Sequence, residues 1–579
     1  MKVWLFTLSV LLCQLTVSCD KKSLTDADID IIFTPQEAAA LMPRGINLGN
    51  TLEPDTEGGW NNGPAQEYYF EDYANAGFDC VRIPVKWGSH TGENQPFDVE
   101  ASWLDRVEEV VNWGLEQDLF IIINGHHEDW LKAVYSPFNV ARYERIWEQI
   151  ADRFRDKSHR LLFEIINEPQ GLTIEQTDDI NARILPIIRE TNPTRIVIFG
   201  GAGWSSRNDM MTAAIPEDDY LMAYFHQYDP WNFAGLGNGT WGSTADRNTI
   251  ASNFEQAAGW SLENNIPVMI SEFGAVHICD YNSRMLHYYT YVEEALKNNI
   301  AFQVWDDGGN FGIYDRENRT WPEEKNILLN TYPQGPNGLE TALLENGTII
   351  LTWENRTSEN TGVRVERRTD DTEYSEIAQL GADVTVFEDT SVHDSGYYYY
   401  RVISEMSGQP DMYSYPVKRS EYELPAHRQP FSGSPIQIPG TIQAEDFDIG
   451  GESWTYHDLD DVNTPGAYRP WEAVDIELRD DGGYQVTDIE SGEWLEFTIL
   501  AAESRMYEIT VYTASMDGGG QLRFQLASSF SGVVDIPATN SWQILTAVST
   551  SMSLPQGEHF LKLHFVSEGP YNLDRIEIQ

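Results

Sequence analysis

Positive charge is scarce in this chain: 38 lysines and arginines face 91 aspartates and glutamates, a net charge of −53 over 579 residues. Such a surface gives nucleic acid no electrostatic footprint and disfavours a polyanionic partner. Cysteine is nearly absent as well. Outside the first twenty residues there are only Cys80 and Cys279, and neither has the cysteine–histidine spacing that holds zinc. They fall near opposite ends of the strands assigned below, so two free thiols are expected, Cys80 as a small buried apolar side chain. Apart from Val3 to Leu15 there is no long apolar run, and that one is too short to cross a bilayer. The chain also lacks an internal repeat, and its low-complexity content is confined to one Pro-, Ser- and Gln-rich stretch after Glu421.

What is present begins with that apolar run. Lys2 precedes it and Thr16, Val17 and Ser18 follow it, the order of an export signal. Leu15 to Cys19 resembles a bacterial lipobox, which implies a diacylated Cys19 at the mature N-terminus. The expected location is the outer membrane or cell surface, as a lipoprotein, or otherwise the secreted fraction. This assigns 1–19 to a signal and 20–34 to a short linker. Aromatic residues make up 12% of the chain, with 18 Trp and 28 Tyr, a content that suits sugar stacking and β-rich packing equally.

Short apolar runs then alternate with longer amphipathic stretches. The runs are Gly45–Leu48, Val81–Val85, Phe120–Asn124, Leu161–Asn167, Arg195–Phe199, Leu221–Phe225, Pro267–Glu272 and Ala301–Trp305. Between them, Ala101–Gln117 carries Trp103, Val107, Val110, Val111 and Leu115 at helical spacing. Near-continuous apolar strands separated by helices predict a parallel sheet covered on both faces. Eight such units over 35–332 predict a (β/α)8 TIM barrel, whose active site forms where the strands end. Composition changes after that. Residues 337–420 hold about seven strand-like runs and predict an all-β sandwich; 421–435 read as a linker, and 436–579 as a second sandwich.

Unusual polar residues mark the strand ends. Arg82 interrupts the second run; His126 and His127 follow the third, Asn167 and Glu168 the fourth. His226 and Tyr228 follow the sixth, Glu272 closes the seventh, and Trp305 the eighth. Packing gives no reason for polar groups at strand end after strand end, because burying them costs free energy unless they are paired. In a barrel they converge on one mouth, with two glutamates facing each other. Glycoside hydrolysis with retention needs that pair, one carboxyl protonated and one ionised.

The segment from 35 to 332 resembles glycoside hydrolase family 5. Asn167-Glu168-Pro169 matches the motif that carries the acid/base, which implies Glu168 in that role. Ser271-Glu272-Phe273-Gly274 matches the nucleophile strand, which implies Glu272. The resemblance further implies substrate contacts from Arg82, His126, His127, Asn167, His226, Tyr228 and Trp305, and from Asn50 in the Gly45–Asn50 segment. Trp60, Trp130, Trp231 and Trp241 lie in loops on the same side; about half are expected to be sugar platforms and the rest to pack beneath their loops. The implied activity is retaining endo-hydrolysis of a neutral β-glycan, β-1,4-glucan foremost, by a monomer that needs no cofactor for catalysis. β-Mannan, xyloglucan and mixed-linkage glucan are the family's other substrates. A non-catalytic surface glycan-binding lipoprotein is the competing class.

Leu351-Thr-Trp353 and Tyr398 to Val402 resemble a fibronectin type III module. The last 140 or so residues resemble a family 6 carbohydrate-binding module, through Gln443 to Asp446, Ser491 to Phe497, Ser541 to Gln543 and Asn572 to Ile578. That resemblance implies a sugar cleft with Trp542 and Asn572, and a structural calcium on Glu445 and Asp574. Where the family carries a second cleft aromatic, this chain has Asp488.

Overall fold

The computed structural model describes residues 31–344, 348–370, 372–392, 397–420, 428–460, 462–527, 529–567 and 570–579. The signal and lipobox assigned to 1–19, and parts of both linkers, lie outside them. The chain forms two compact units, Met1–Pro333 and Gln334–Gln579.

The first unit is a closed barrel of eight parallel strands in sequence order. They are β1 (Arg44–Asn47), β2 (Cys80–Ile83), β3 (Phe120–Asn124), β4 (Leu161–Glu164), β5 (Val197–Phe199), β6 (Leu221–His226), β7 (Val268–Glu272) and β8 (Ala301–Val304). Every residue of each strand is buried, which explains why these segments read as unbroken apolar runs rather than alternating ones. Local chemistry sets the helix boundaries. Thr173 and Gln176 form a capping box on Ile174–Thr191, Ser243 and Asp246 one on Thr244–Asn264, and Pro137 opens the helix that ends at Arg153. Gly77, at φ 109°, ends Glu67–Ala76 in the left-handed conformation that glycine adopts without a Cβ clash. The helix Pro35–Leu41 closes the barrel floor: Phe33, Ala38 and Met42 pack with Phe120, Ile122, Leu162 and Met269. Both thiols are free and buried, Cys80 as the first residue of β2.

The second unit is all β. In its first part the strands Val386–Asp389, Ile349–Glu354 and Asn337–Leu343 form one sheet. A second sheet is built on Asn360–Thr369 and Tyr397–Met406, so the described residues hold eight strands here where about seven were expected. The remainder pairs a seven-stranded sheet with a six-stranded one over a core that includes Phe447, Phe497, Tyr507, Phe524, Leu561 and Ile576. Among the described residues no helix is long and apolar enough to cross a membrane.

Carboxylates crowd one end of this last sandwich. Burial pushes Asp458 up to about 8, and the charge of Glu493 adds to it. Asp475 is pushed up to about 7 by burial and by Asp460, Asp488 and Glu493. Their unfolded values sit near 3.8, so the folded state holds protons that the unfolded state has lost across pH 4 to 8. Stability is therefore greatest below that window and falls as pH rises through it. In a chelating buffer, calorimetry should place the melting of this unit roughly 5 °C higher at pH 5 than at pH 8. A flat or inverted dependence would mean that these carboxyls are solvated.

Candidate active site

Arg82, in the middle of β2, is fully buried and uses all five of its N–H donors. Nε and Nη2 clasp Glu164 at 2.7 and 2.6 Å, Nη1 reaches Asn47 Oδ1 at 2.9 Å and Glu272 Oε1 at 2.7 Å, and Nη2 also reaches Asn167 Oδ1 at 2.6 Å. A buried guanidinium is tolerable only in such a setting, because each unpaired donor would carry its full desolvation cost. Residues from β1, β2, β4 and β7 and from the loop after β4 are thereby fixed around one cation.

β4 ends at Glu164, three residues short of the expected Asn167. Asn167 and Glu168 stand on the segment just beyond it, where Asn167 N bonds to Gly125 O at 3.0 Å. Glu168 has φ +37°, a strained conformation for a residue with a Cβ. Tyr224 holds that turn: its hydroxyl accepts from Glu168 N at 3.2 Å and donates to Ile166 O at 2.6 Å.

The carboxyls of Glu168 and Glu272 and Nδ1 of His226 offer atoms that all lie within 4.8 Å of one another. His226 Nδ1 is 2.8 Å from Glu168 Oε1 and 3.5 Å from Glu272 Oε2. Tyr228 OH donates to Glu272 Oε2 at 3.0 Å. Burial pushes Glu272 up and the Glu168 charge adds to this, against the pull of His226 and Arg82. Burial is the largest influence on Glu168 and opposes its ionisation, but the hydrogen bond and charge of His226 together with the charges of Lys132 and Arg82 outweigh it and draw the group down. The two carboxyls therefore titrate as one unit, and their surroundings separate their roles. Both oxygens of Glu272 face donors and its side chain is 7% exposed, whereas Glu168 is 21% exposed and has His226 as its hydrogen-bonded neighbour. Glu168 is the one that can exchange a proton with water or a leaving group.

The walls are aromatic. Trp305 follows β8, and the ring of His126 lies parallel to it at a centroid distance of 6.0 Å. Burial holds His126 well below the usual imidazole range and lowers His127 to about 4, so both rings are neutral at pH 7. Of the four loop tryptophans, Trp60 and Trp231 are exposed; Trp241 is buried against Phe233 and His287. Trp130 lies under the guanidinium of Arg142, 4.3 Å away, and bonds Glu128.

Sequence reasoning missed three features. Glu164, a charge inside the run Leu161–Asn167, was visible in principle and was absorbed into the apolar count. Trp204, after β5, is 65% exposed. The third is a clamp behind Trp305. Arg316 reaches Gly49 O and Asp306 O, each at 3.2 Å, and Thr51 Oγ1 at 2.9 Å. Glu53, pushed up to about 7 by burial, accepts from the backbone of Asn50 and Thr51. Asn50 is turned to φ +54° and bonds Asn61 at 3.0 Å. A Cβ on Gly49 would meet Asp306 O at 2.7 Å and the Trp305 indole at 3.0 Å. Gly49→Ala should therefore tilt the platform and raise KM about tenfold with a smaller change in kcat, read by initial rates on a soluble substrate. An unchanged KM would show that the indole is not set by Gly49.

In the second unit, Trp542 and Asn572 line one cleft of about 760 Å3, with Asp488 and Glu490 beside them. Asn572 is already engaged, donating to Glu477 Oε1 at 2.8 Å and accepting from Thr487 Oγ1 at 2.9 Å. Of the two residues expected to hold calcium, Asp574 is paired with Arg575 at 2.6 Å and Arg479 at 3.2 Å. Glu445 is pushed up to about 7 by burial and by the charges of Asp446 and Asp574, and its Oε2 is buried without a protein partner. Among the described residues, Glu168, His226 and Glu272 are the one group of three ligand side chains close enough to share an ion.

An eight-stranded parallel barrel with two opposed glutamates at its mouth, one locked to a buried arginine, has the architecture of the glycoside hydrolases. Residues 44–310 match the cellulase family, glycosyl hydrolase family 5, and 467–579 match the family 6 carbohydrate-binding module. The chain belongs to glycosyl hydrolase family 5. It is 47% identical over 309 residues to Endoglucanase H of Acetivibrio thermocellus, covering 52% of this chain and 34% of that protein. Against Endoglucanase A of Ruminococcus albus it is 32% identical over 329 residues, 50% of this chain and 90% of the relative. A crystal structure of a hyperthermophilic endo-β-1,4-glucanase in complex with substrate superposes with TM-score 0.50 at 32% identity, covering 51% of this chain and 99% of that one. The endoglucanase Cel5A of Thermotoga maritima gives TM-score 0.50 at 30% identity, with coverages of 51% and 100%. The chain thus spans about a third of the length of Endoglucanase H and nearly all of the solved barrels.

Proposed function

We propose that the chain is a retaining endo-β-1,4-glucanase. The observation that carries this reading is the pair Glu168 and Glu272, with carboxyl oxygens within 4.8 Å of each other. That gap belongs with the ~5–5.5 Å spacing of retaining enzymes, not with the ~6.5–9.5 Å that leaves room for an attacking water. Glu272, kept acceptor-only by Arg82 and Tyr228, attacks the anomeric carbon as the glycosidic bond breaks. Glu168 gives its proton to the departing oxygen, then takes one from the water that opens the glycosyl-enzyme. Asn167 hydrogen-bonds the sugar beside the nucleophile, and Trp305 carries the ring face. Substrate choice rests on the relatives named as endoglucanases. Reducing-sugar release from cellulosic, mannan, xyloglucan and mixed-linkage substrates tests it: β-1,4-glucan should turn over fastest, and a faster mannan rate would reassign the specificity. Silence on all four would move the protein to the glycan-capture class.

The same reading extends to the rest of the chain. Residues 337–420 act as a fibronectin type III-like spacer and 436–579 as a glycan-binding module that serves through the Trp542 cleft. Trp542→Ala should weaken retention on insoluble glucan about tenfold while soluble-substrate turnover holds; unchanged retention would remove the cleft from the account. The run Leu15 to Cys19 supports export with a lipid on Cys19. Radiolabelled palmitate should enter the wild type and not Cys19→Ser, and equal labelling would exclude it.

A further inference from the structure

We propose that Glu168, His226 and Glu272 also form a binding site for a divalent transition-metal ion, which shuts the enzyme off by occupying both catalytic carboxyls. This rests on the geometry of the site and not on the identity of its substrate. Zinc is bound by imidazole nitrogen and carboxylate oxygen at about 2.0–2.2 Å, so neighbouring ligands stand about 3.0 Å apart in an octahedron and about 3.4 Å in a tetrahedron. His226 Nδ1 lies 2.8 Å from Glu168 Oε1 and 3.5 Å from Glu272 Oε2, and the three residues can each offer one ligand atom within 4.8 Å of the other two. An ion would need shifts of a few tenths of an ångström at the two His226 contacts, and a modest closure of the carboxyl pair.

Charge placement allows it, and proton placement sets its cost. Two carboxylates and a neutral imidazole offset a dication, and Arg82 keeps its own partner in Glu164, which it clasps through two nitrogens. His226 must offer Nδ1 as a lone pair, so its proton moves to Nε2. That nitrogen is buried without a protein partner, so a proton placed there leaves a buried donor unsatisfied, a cost that the bonds to the ion must exceed. Binding then costs the Nδ1 contact to Glu168 and a share of the Tyr228 hydrogen bond to Glu272. The mixed nitrogen and oxygen set selects among ions: copper and zinc bind well ahead of manganese, and magnesium, which prefers all-oxygen shells, does not compete.

Isothermal titration of zinc chloride into the full chain tests this without reference to turnover. One site of micromolar affinity is expected, weakened on the order of 100-fold in Glu168→Gln and in Glu272→Gln, with thermal melts showing both variants folded. On wild type, zinc should inhibit competitively with a soluble oligosaccharide, reverse with EDTA, and leave no trace when replaced by magnesium. Absence of binding at millimolar zinc, or equal binding in both variants, would overturn the proposal even if catalysis proceeds as described. Should the chain hydrolyse nothing, the calorimetry still decides the metal site alone.

Discussion

Glu272→Ala should lose turnover on polysaccharide by on the order of 10^5-fold, and added azide should restore part of it on an activated aryl glycoside. The reason is spatial. Removing the side chain opens a hole beside Arg82 and Tyr228, whose donors then face an anion-sized space. Azide entering there attacks the anomeric carbon from the side the glutamate used and expels the phenolate, giving the α-glycosyl azide. Glu168→Ala should differ in kind. An activated leaving group needs no proton, so the first step survives while the second, which needs a base for water, slows about 10^2- to 10^4-fold. Azide then attacks the intermediate from the opposite face and the product is the β-glycosyl azide. Chromatography and NMR of the azides separate the two variants. Identical products would show that the two glutamates do not have separate roles.

Arg82→Met carries the second large effect. Methionine fills much of the volume but leaves Glu164 and Glu272 as buried carboxyls without their cation, and Asn47 and Asn167 lose a donor. Stranding a buried charge costs about 3–5 kcal/mol, which lowers the melting temperature of the barrel by roughly 10 °C. Activity changes in a defined direction too. Without the guanidinium, burial dominates at Glu272 and its carboxyl rises further, so a larger share is protonated and unable to attack. The acidic limb of kcat/KM, which reports the free enzyme, should move to higher pH while the basic limb moves less. A melting temperature and acidic limb equal to wild type would show that Arg82 does not help hold the Glu272 carboxyl down.

How much of this was legible in the sequence depends on whether a residue acts through type or through position. The barrel was legible because strands buried on both faces leave unbroken apolar runs, and helices between them leave a 3.6-residue period, as Ala101–Glu116 does. Boundaries were less so. Leu161–Asn167 read as one strand because Ile165 and Ile166 are buried too, yet sheet pairing stops at Glu164 and the chain turns to set Glu168 at φ +37°. Trp60 and Trp241 are the same residue type in equivalent-looking loops. Only packing separates them, since Phe233 and His287 happen to cover one. The clamp of Arg316 on Gly49 joins residues 267 positions apart and has no local signature. In the second unit, matching Glu445 and Asp574 to a motif carried no information about Arg479 and Arg575, which pair with Asp574.

The spacing of Glu168 and Glu272 makes the most exposed claim, because it dictates stereochemistry. Proton NMR of the first seconds of oligosaccharide hydrolysis, before mutarotation, should show the new reducing end appearing as the β-anomer. Initial release of the α-anomer would mean that water attacks directly, and would contradict the assignment of Glu272 as nucleophile.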